Sequence, residues 1–234
     1  LKPISIDTIL LLANSGWSIE RILRLIVDDI NGVPNAPNAG GPTPTVVPDF
    51  REFQSIAYLL RELQTQNAVN FIYDNNKKAS LVFKNDNKKV NVLKKKLKLS
   101  DSKKYELVSG KGLDTINNES ITLSTRSFLG VMYYLSHSVE VPDIDKTSGK
   151  VTITYDEFGN EFSWSELTQN LFKIKSTPNN TDIAISTNYR DTWFYIDDRD
   201  LDSKTTFSLL MQLFSLQSGK SEGIAPLLTL PIGQ

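Results

Sequence analysis

Cysteine is absent from this chain, and histidine occurs once, at position 137. The first absence removes disulfides, thiolate metal sites, iron–sulfur clusters and cysteine nucleophiles. The second excludes any multi-histidine metal site and leaves His137 as the sole imidazole for a Ser-His-Asp triad. Long apolar runs are also lacking. The longest, Ile9–Ala13, falls far short of the roughly 20 residues that a membrane-spanning helix needs. No strand–GxGxxG–helix unit, P-loop or G-x-S-x-G elbow occurs, so nucleotide binding and serine hydrolysis by those routes are unsupported.

What is present fits a globular chain: 234 residues, 39% hydrophobic and 23% charged, enough for one large domain or two small ones. The net charge of −1 conceals an asymmetry. Residues 77–104 carry eleven lysines against Asp86 and Asp101, a local +9 that leaves −10 for the remainder. This segment has no arginine and only Phe83 for stacking, so a nucleic-acid partner is not expected. It reads as a solvated loop or exposed hairpin. Lys94, Lys95 and Lys96 are its candidates for contact with a partner or an anionic surface such as lipid head groups.

The pattern predicts an α+β fold: a helical N-terminal third, followed by a mixed antiparallel sheet packed against helices. Ile19, Ile22, Leu23, Ile26, Val27 and Ile30 recur at helical spacing, with Ser18 as N-cap and Gly32 as stop. Residues 31–48 hold five prolines and three glycines and read as a surface connector. Residues 1–48 thus form a helical segment with a Pro-rich connector. Residues 49–234 form a mixed α+β part carrying the Lys-rich exposed stretch at 77–104, the whole being compatible with one domain.

In that second part Asp49 is expected to cap a helix burying Phe53, Ile56, Leu60 and Leu63. Residues 68–83 read as a hairpin, and order over 84–112 is doubtful. Ser124 or Thr125 is expected to cap a helix with Phe128, Val131, Met132 and Leu135 inward. Residues 150–164 read as another hairpin, and up to three short strands precede Asp197, with turns at Pro178–Asn180 and Arg190–Asp191. A last helix from Ser203 puts Phe207, Leu210, Met211 and Phe214 on one face and ends at Gly219. The tail APLLTLPIG reads as an edge strand limited by Pro226 and Pro231.

The stretch WFYIDDRDLDSK, Trp193–Lys204, is the densest cluster of chemistry-bearing groups. Asp198, Asp200 and Asp202 stand at i, i+2 and i+4, as at the start of an EF-hand loop. The sixth position is Ser203 rather than Gly, however, and the twelfth is Leu209 rather than Glu. A looser Mg²⁺ or Ca²⁺ site on these three, or a metal-dependent hydrolase that also uses Asp197, is the alternative to an ordinary strand end. In the ordinary reading no cofactor is needed. Asp202 or Ser203 caps the following helix, while Arg199 or Lys204 neutralises a neighbour. No catalytic residue is assigned, and His137 reads as a helix C-terminal residue facing the dipole.

Two stretches, Leu10–Pro44 and Trp193–Gly219, resemble an uncharacterised family of Gram-negative bacterial envelope proteins regarded as secreted or outer-membrane-anchored lipoproteins. The resemblance implies export to the periplasm or outer membrane, and it carries no catalytic residue. The chain begins at Leu1 rather than Met, so an upstream export signal or lipidated segment would not be visible in it. The implied role is a non-enzymatic envelope component engaging envelope proteins or the cell wall, within an envelope-spanning or secretion complex.

Overall fold

The spacing of Ile19 to Ile30 predicts one helix, yet the backbone breaks it at Val27. In the computed structural model, which describes residues 2–42, 44–74, 78–85, 87–110, 117–179 and 182–219, α1 spans Ile6–Asn14 and α2 spans Ile19–Ile26. The chain then turns extended as β1 (Val27–Ile30) and returns as β2 (Val33–Pro34). Asn31 and Gly32 sit between them at φ 49° and 79°, the left-handed pair of a type I′ hairpin. Gly32 is therefore a hairpin residue and not a helix stop. The N-terminal third is only partly helical.

The break has a physical cause some hundred residues away. A helix end leaves its last carbonyls without internal partners. Here Arg126 Nη1 donates to the carbonyls of Arg24, Leu25 and Val27 at 3.2, 3.2 and 2.8 Å, while its backbone N–H takes that of Ile26 at 2.7 Å. Asn35 Nδ2 adds bonds to the Arg24 and Val27 carbonyls at 3.0 and 2.7 Å, and Arg126 Nη2 bonds the Asn35 carbonyl. The guanidinium lies 4.3 Å over the ring of Tyr134. Burial pulls the pKa of Arg126 down from its ordinary value, and the charges of Tyr134 and Asp28 work against that.

Around this junction a six-stranded sheet runs in the order β2-β1-β6-β5-β4-β3, with β3 Val69–Tyr73, β4 Ala79–Phe83, β5 Lys104–Ser109 and β6 Ser120–Thr125. All its pairings are antiparallel except β5 with β6. Register aligns Val33 with Ile30 and Leu123, Ile121 with Leu107, and Tyr105 with Leu81 and Phe71. One face is thus apolar from edge to edge, and α1 and α3 (Arg51–Thr65) pack against the sheet. Strands from 1–48 and from 49–234 share this sheet and one buried core.

Several expectations shift. Residues 31–48 are only partly a surface connector, because Asn35, Ala36 and Ala39 are buried and a 3₁₀ turn at Pro37–Gly40 packs on α5 (Phe128–Ser136). Gly130 of α5 lies close against Arg126, since a Cβ there would meet Arg126 Cβ at 3.2 Å. Residues 84–112 hold α4 (Lys88–Lys96) and β5. The α3 face is as expected, but Phe50 is its N-cap rather than Asp49. Ser124 and Thr125 belong to β6, Ser127 caps α5, and Met132 is exposed.

The 68–83 hairpin is observed, although its turn residues 75–77 lie outside the described residues. At 150–164 the hairpin is reduced to a Tyr155–Glu161 bridge. Short helices α6 (Asp143–Thr147) and α7 (Ser165–Thr168) flank it. A second sheet orders β7 (Lys175–Thr177), β9 (Thr192–Tyr195) and β8 (Ser186–Tyr189), with Arg190 and Asp191 turning at φ 49° and 60°. Asn180 and the tail after Gly219 lie outside the described residues. The last helix, α8, spans Leu201–Gln217.

Replacing Arg126 by Ala takes the guanidinium bonds from four carbonyls, of which those of Arg24 and Val27 keep Asn35 Nδ2, and is expected to cost about 3–5 kcal/mol. Urea unfolding followed by circular dichroism measures it. A loss under about 1 kcal/mol would contradict the role given to this side chain.

Candidate functional site

The four carboxylates behind β9 part company. Ile196 is buried, which pins the end of the strand. Asp197 pairs with Lys175 of β7 at 2.8 Å and accepts from the Arg199 backbone N–H at 2.9 Å. These bonds, Lys175 first, hold its carboxyl below the usual range. Asp198 pairs with Lys204 at 3.1 Å. Asp200 caps α8, accepting from Ser203 N at 3.0 Å and from Ser203 Oγ at 2.6 Å. Asp202 pairs with Arg21 of α2 at 2.7 Å.

Helix α8 thus starts two residues earlier than predicted, with Asp200 rather than Asp202 or Ser203 as N-cap. Lys204 is a partner as expected. Arg21 is a partner that local reading missed, because it lies on a different element. Its Nη1 also donates to the Asp202 carbonyl at 2.8 Å and to Thr206 Oγ1, tying α2 to the first turn of α8. Among the described residues no group of three or more His, Asp or Glu side chains comes together as a cation cage.

Asp200 and Asp202 do reach the rim of an open cleft of about 1150 Å³. Its walls come from the end of α5, from α6, from α7 and from the start of α8, with His137, Trp164, Lys146 and Glu161 among the lining side chains. Lys146 and Glu161 bond each other at 2.6 Å across it. His137 stacks on Trp164 at 4.2 Å and bonds the Ala39 carbonyl through Nε2 at 3.3 Å. Burial lowers the His137 pKa below 6.5, and the Ala39 bond offsets part of this. Ser136 and Ser138, its neighbours in sequence, bond carbonyls of their own helix.

The lysines diverge as well. Lys94 is folded inward, its side chain 8% exposed, and it holds Asp101 at 2.9 Å. Lys96 turns to Glu52 of α3 at 3.7 Å, and Lys95 is exposed. The three therefore do not present one common surface. Val90, Leu93 and Leu97 are buried beneath them, which is why this charged stretch is a helix on α3. Lys78–Glu106, Lys89–Glu62 and Lys104–Asp74 extend the pattern, so the local positive charge is stitched to acidic side chains of other elements.

Arg24 is a second feature that local reading missed. Its side chain is fully buried, and it bonds Glu20 at 2.9 Å and the carbonyls of Leu167 and Gln169 at 3.1 and 2.8 Å. The Glu20–Arg24 i,i+4 spacing was the available signal. The result is that α2 holds the cleft wall at α7. No protein-family model, curated protein sequence or solved structure matches this chain.

Two measurements follow from this geometry. Asp200→Ala removes the cap and is expected to cost about 1 kcal/mol, while calorimetric titration of the native chain with Mg²⁺, Ca²⁺ and Mn²⁺ gives no saturable heat. Saturable binding lost in Asp198→Asn would reverse the assignment. The NMR titration of the single histidine should have its midpoint below 6.5. Because the folded value is depressed, the stability contribution of neutral His137 is complete above the unfolded value and declines as pH falls beneath it. Unfolding free energy should drop from about pH 7.5 to about pH 5.5, and His137→Phe should flatten that drop.

Proposed function

We propose that this chain is a non-enzymatic component of the bacterial cell envelope, acting through protein partners in an envelope-spanning or secretion complex. The observation that carries the reading is an outward apolar face on two neighbouring helices. Leu129 and Met132 on α5, and Met211 and Phe214 on α8, are 41–53% exposed. Phe128 and Phe214 join the two helices, ring to ring, at 5.6 Å. Other exposed apolar residues stand singly on their helices, as Leu11 on α1, Tyr58 on α3 and Val92 on α4 do, or lie on turns and short elements, as Ile144, Phe158 and Tyr189 do. Adjoining apolar side chains on long helices are the usual mark of an interaction surface, whereas single ones are ordinary.

The carboxylate turn supports the same reading, because Asp197 ties the end of β9 to β7 through Lys175, while Asp198, Asp200 and Asp202 serve bonds at the start of α8. The resemblance of Leu10–Pro44 and Trp193–Gly219 to envelope lipoproteins favours the periplasm or outer membrane, with a lipid anchor where the precursor carries a lipidation signal. No helix among the described residues is long and apolar enough to cross a membrane. Attachment in this reading is peripheral or through lipid.

The test uses the full-length gene product in its own cell. A photo-crosslinking residue at Met211 should yield a discrete adduct with an envelope protein, and one at the exposed Lys95 should not. The product itself should fractionate with the envelope. Recovery in the cytoplasm, or equal adducts from both positions, contradicts the proposal.

A further inference from the structure

Residues 151–155, VTITY, are β-branched or aromatic throughout, the composition of a strand. Yet they belong to neither sheet, and only Tyr155 is paired, by its single bridge to Glu161. Both ends of the run are fixed. Lys150 N donates to the Asp145 carbonyl at 3.0 Å, and the Thr154 carbonyl accepts from Phe162 N at 2.8 Å. Thr154 Oγ1 donates to the Pro44 carbonyl at 2.6 Å and accepts from Trp164 Nε1 at 3.1 Å. Between these points the backbone N–H and carbonyl groups of Val151, Thr152 and Ile153 make no hydrogen bond to any described residue.

All three of these residues line the open cleft. So do Val139, Glu140 and Val141, a second short run with a single parallel bridge, Val139 to Ile174. The cleft walls hold six carboxylates against three lysines. Two of those lysines, Lys146 and Lys150, are already paired with Glu161 and Asp145. Glu140 and Asp143 form no ion pair among the described residues, so the cleft is net acidic.

We infer that this cleft binds an extended, basic peptide segment of a partner protein by strand addition along residues 151–153. Strand addition supplies the ladder that this run lacks, with main-chain bonds giving affinity and alternate side chains giving selectivity. A helical ligand has its backbone groups bonded internally and cannot serve them. Lysine or arginine side chains on the ligand meet Glu140 and Asp143, whereas an acidic peptide is repelled. Five extended residues, about 17 Å, span the run from Val151 to Tyr155. The inference goes beyond the proposed function, because it does not rest on the apolar face of α5 and α8.

The probe is a fluorescein-labelled decapeptide of alternating lysine and threonine, titrated with the purified full chain and followed by anisotropy. Binding should saturate, and it should weaken several-fold when glutamate replaces lysine in the peptide. Glu140→Gln with Asp143→Asn should also weaken it several-fold, with far-ultraviolet circular dichroism unchanged. Two further peptides, N-methylated on alternate residues along one edge or the other, keep the charge and remove donors. At least one should lose binding several-fold. In NMR spectra the largest peptide-induced amide shifts should fall on residues 151–153. Absence of saturable binding, or equal binding of the glutamate peptide, overturns the inference. Full binding of both methylated peptides reduces the contact to charge alone and overturns it too, as do shifts centred on α5 and α8 away from the cleft. All readouts use purified protein, so they remain decisive if no envelope partner is captured at Met211.

Discussion

A single buried guanidinium sets the shape of this molecule. Arg126 collects the carbonyls that α2 leaves open at Arg24, Leu25 and Val27, so the helix can stop where its apolar spacing would otherwise carry it on. Once it stops there, Val27–Ile30 is released to become β1, and the Asn31–Gly32 hairpin lays β2 at the sheet edge. Asn31 then fixes the next layer, donating to the Leu97 carbonyl at the end of α4 and accepting from Thr122 N in β6. Desolvating a charge this deeply is costly, and it is tolerated because planar donors meet several oriented carbonyls at once. Exchange for lysine would keep the charge and lose the fork.

From that junction the chemistry of the surface follows. The α2 helix carries Arg21 toward Asp202 and Arg24 toward the carbonyls of α7, so the start of α8 and the cleft wall are both positioned by one rigid helix. The acidic turn that looked most like a site is thereby drawn into holding elements together. Its four carboxylates reach Lys175, Lys204, Ser203 and Arg21 in four directions. The same holds for the lysine-rich stretch, whose charges meet Glu62, Asp101 and Glu106 across element boundaries. Individually such exposed pairs contribute little, about 0–1 kcal/mol. Their effect here is to place charge, and the apolar side of α5 and α8 takes no part in them.

How much of this was legible in the sequence depended on range. The face of α3, the β3–β4 hairpin and the Arg190–Asp191 turn are local patterns, and they appear where the spacing puts them. The α2–β1 switch was illegible because Ile26, Val27 and Ile30 satisfy both a helical and a strand reading, while the arbiter, Arg126, lies 102 residues from Arg24. Asn31–Gly32 was a hairpin signal that the helical spacing overrode. For residues 84–112, charge masked the Val90–Leu93–Leu97 spacing that makes α4 a packed helix. On α8 the expected face is half right: Leu210 is buried and Phe207 packs against the core, whereas Met211 and Phe214 are exposed. Leu209 and Leu213 turn inward instead, beside Thr206, whose Oγ1 donates to the Leu171 carbonyl.

Native-state hydrogen exchange reads the Arg126 junction most directly. The amides of Arg126, Ile4 and Asn31 donate to the Ile26, Arg126 and Thr122 carbonyls at 2.7, 2.9 and 3.0 Å and bracket the guanidinium. If this junction holds α2, β1 and β6 as one unit, these amides exchange only with global unfolding and share its free energy and denaturant dependence. Exchange of the three through a local opening, while the β4 and β5 amides stay protected, would contradict it.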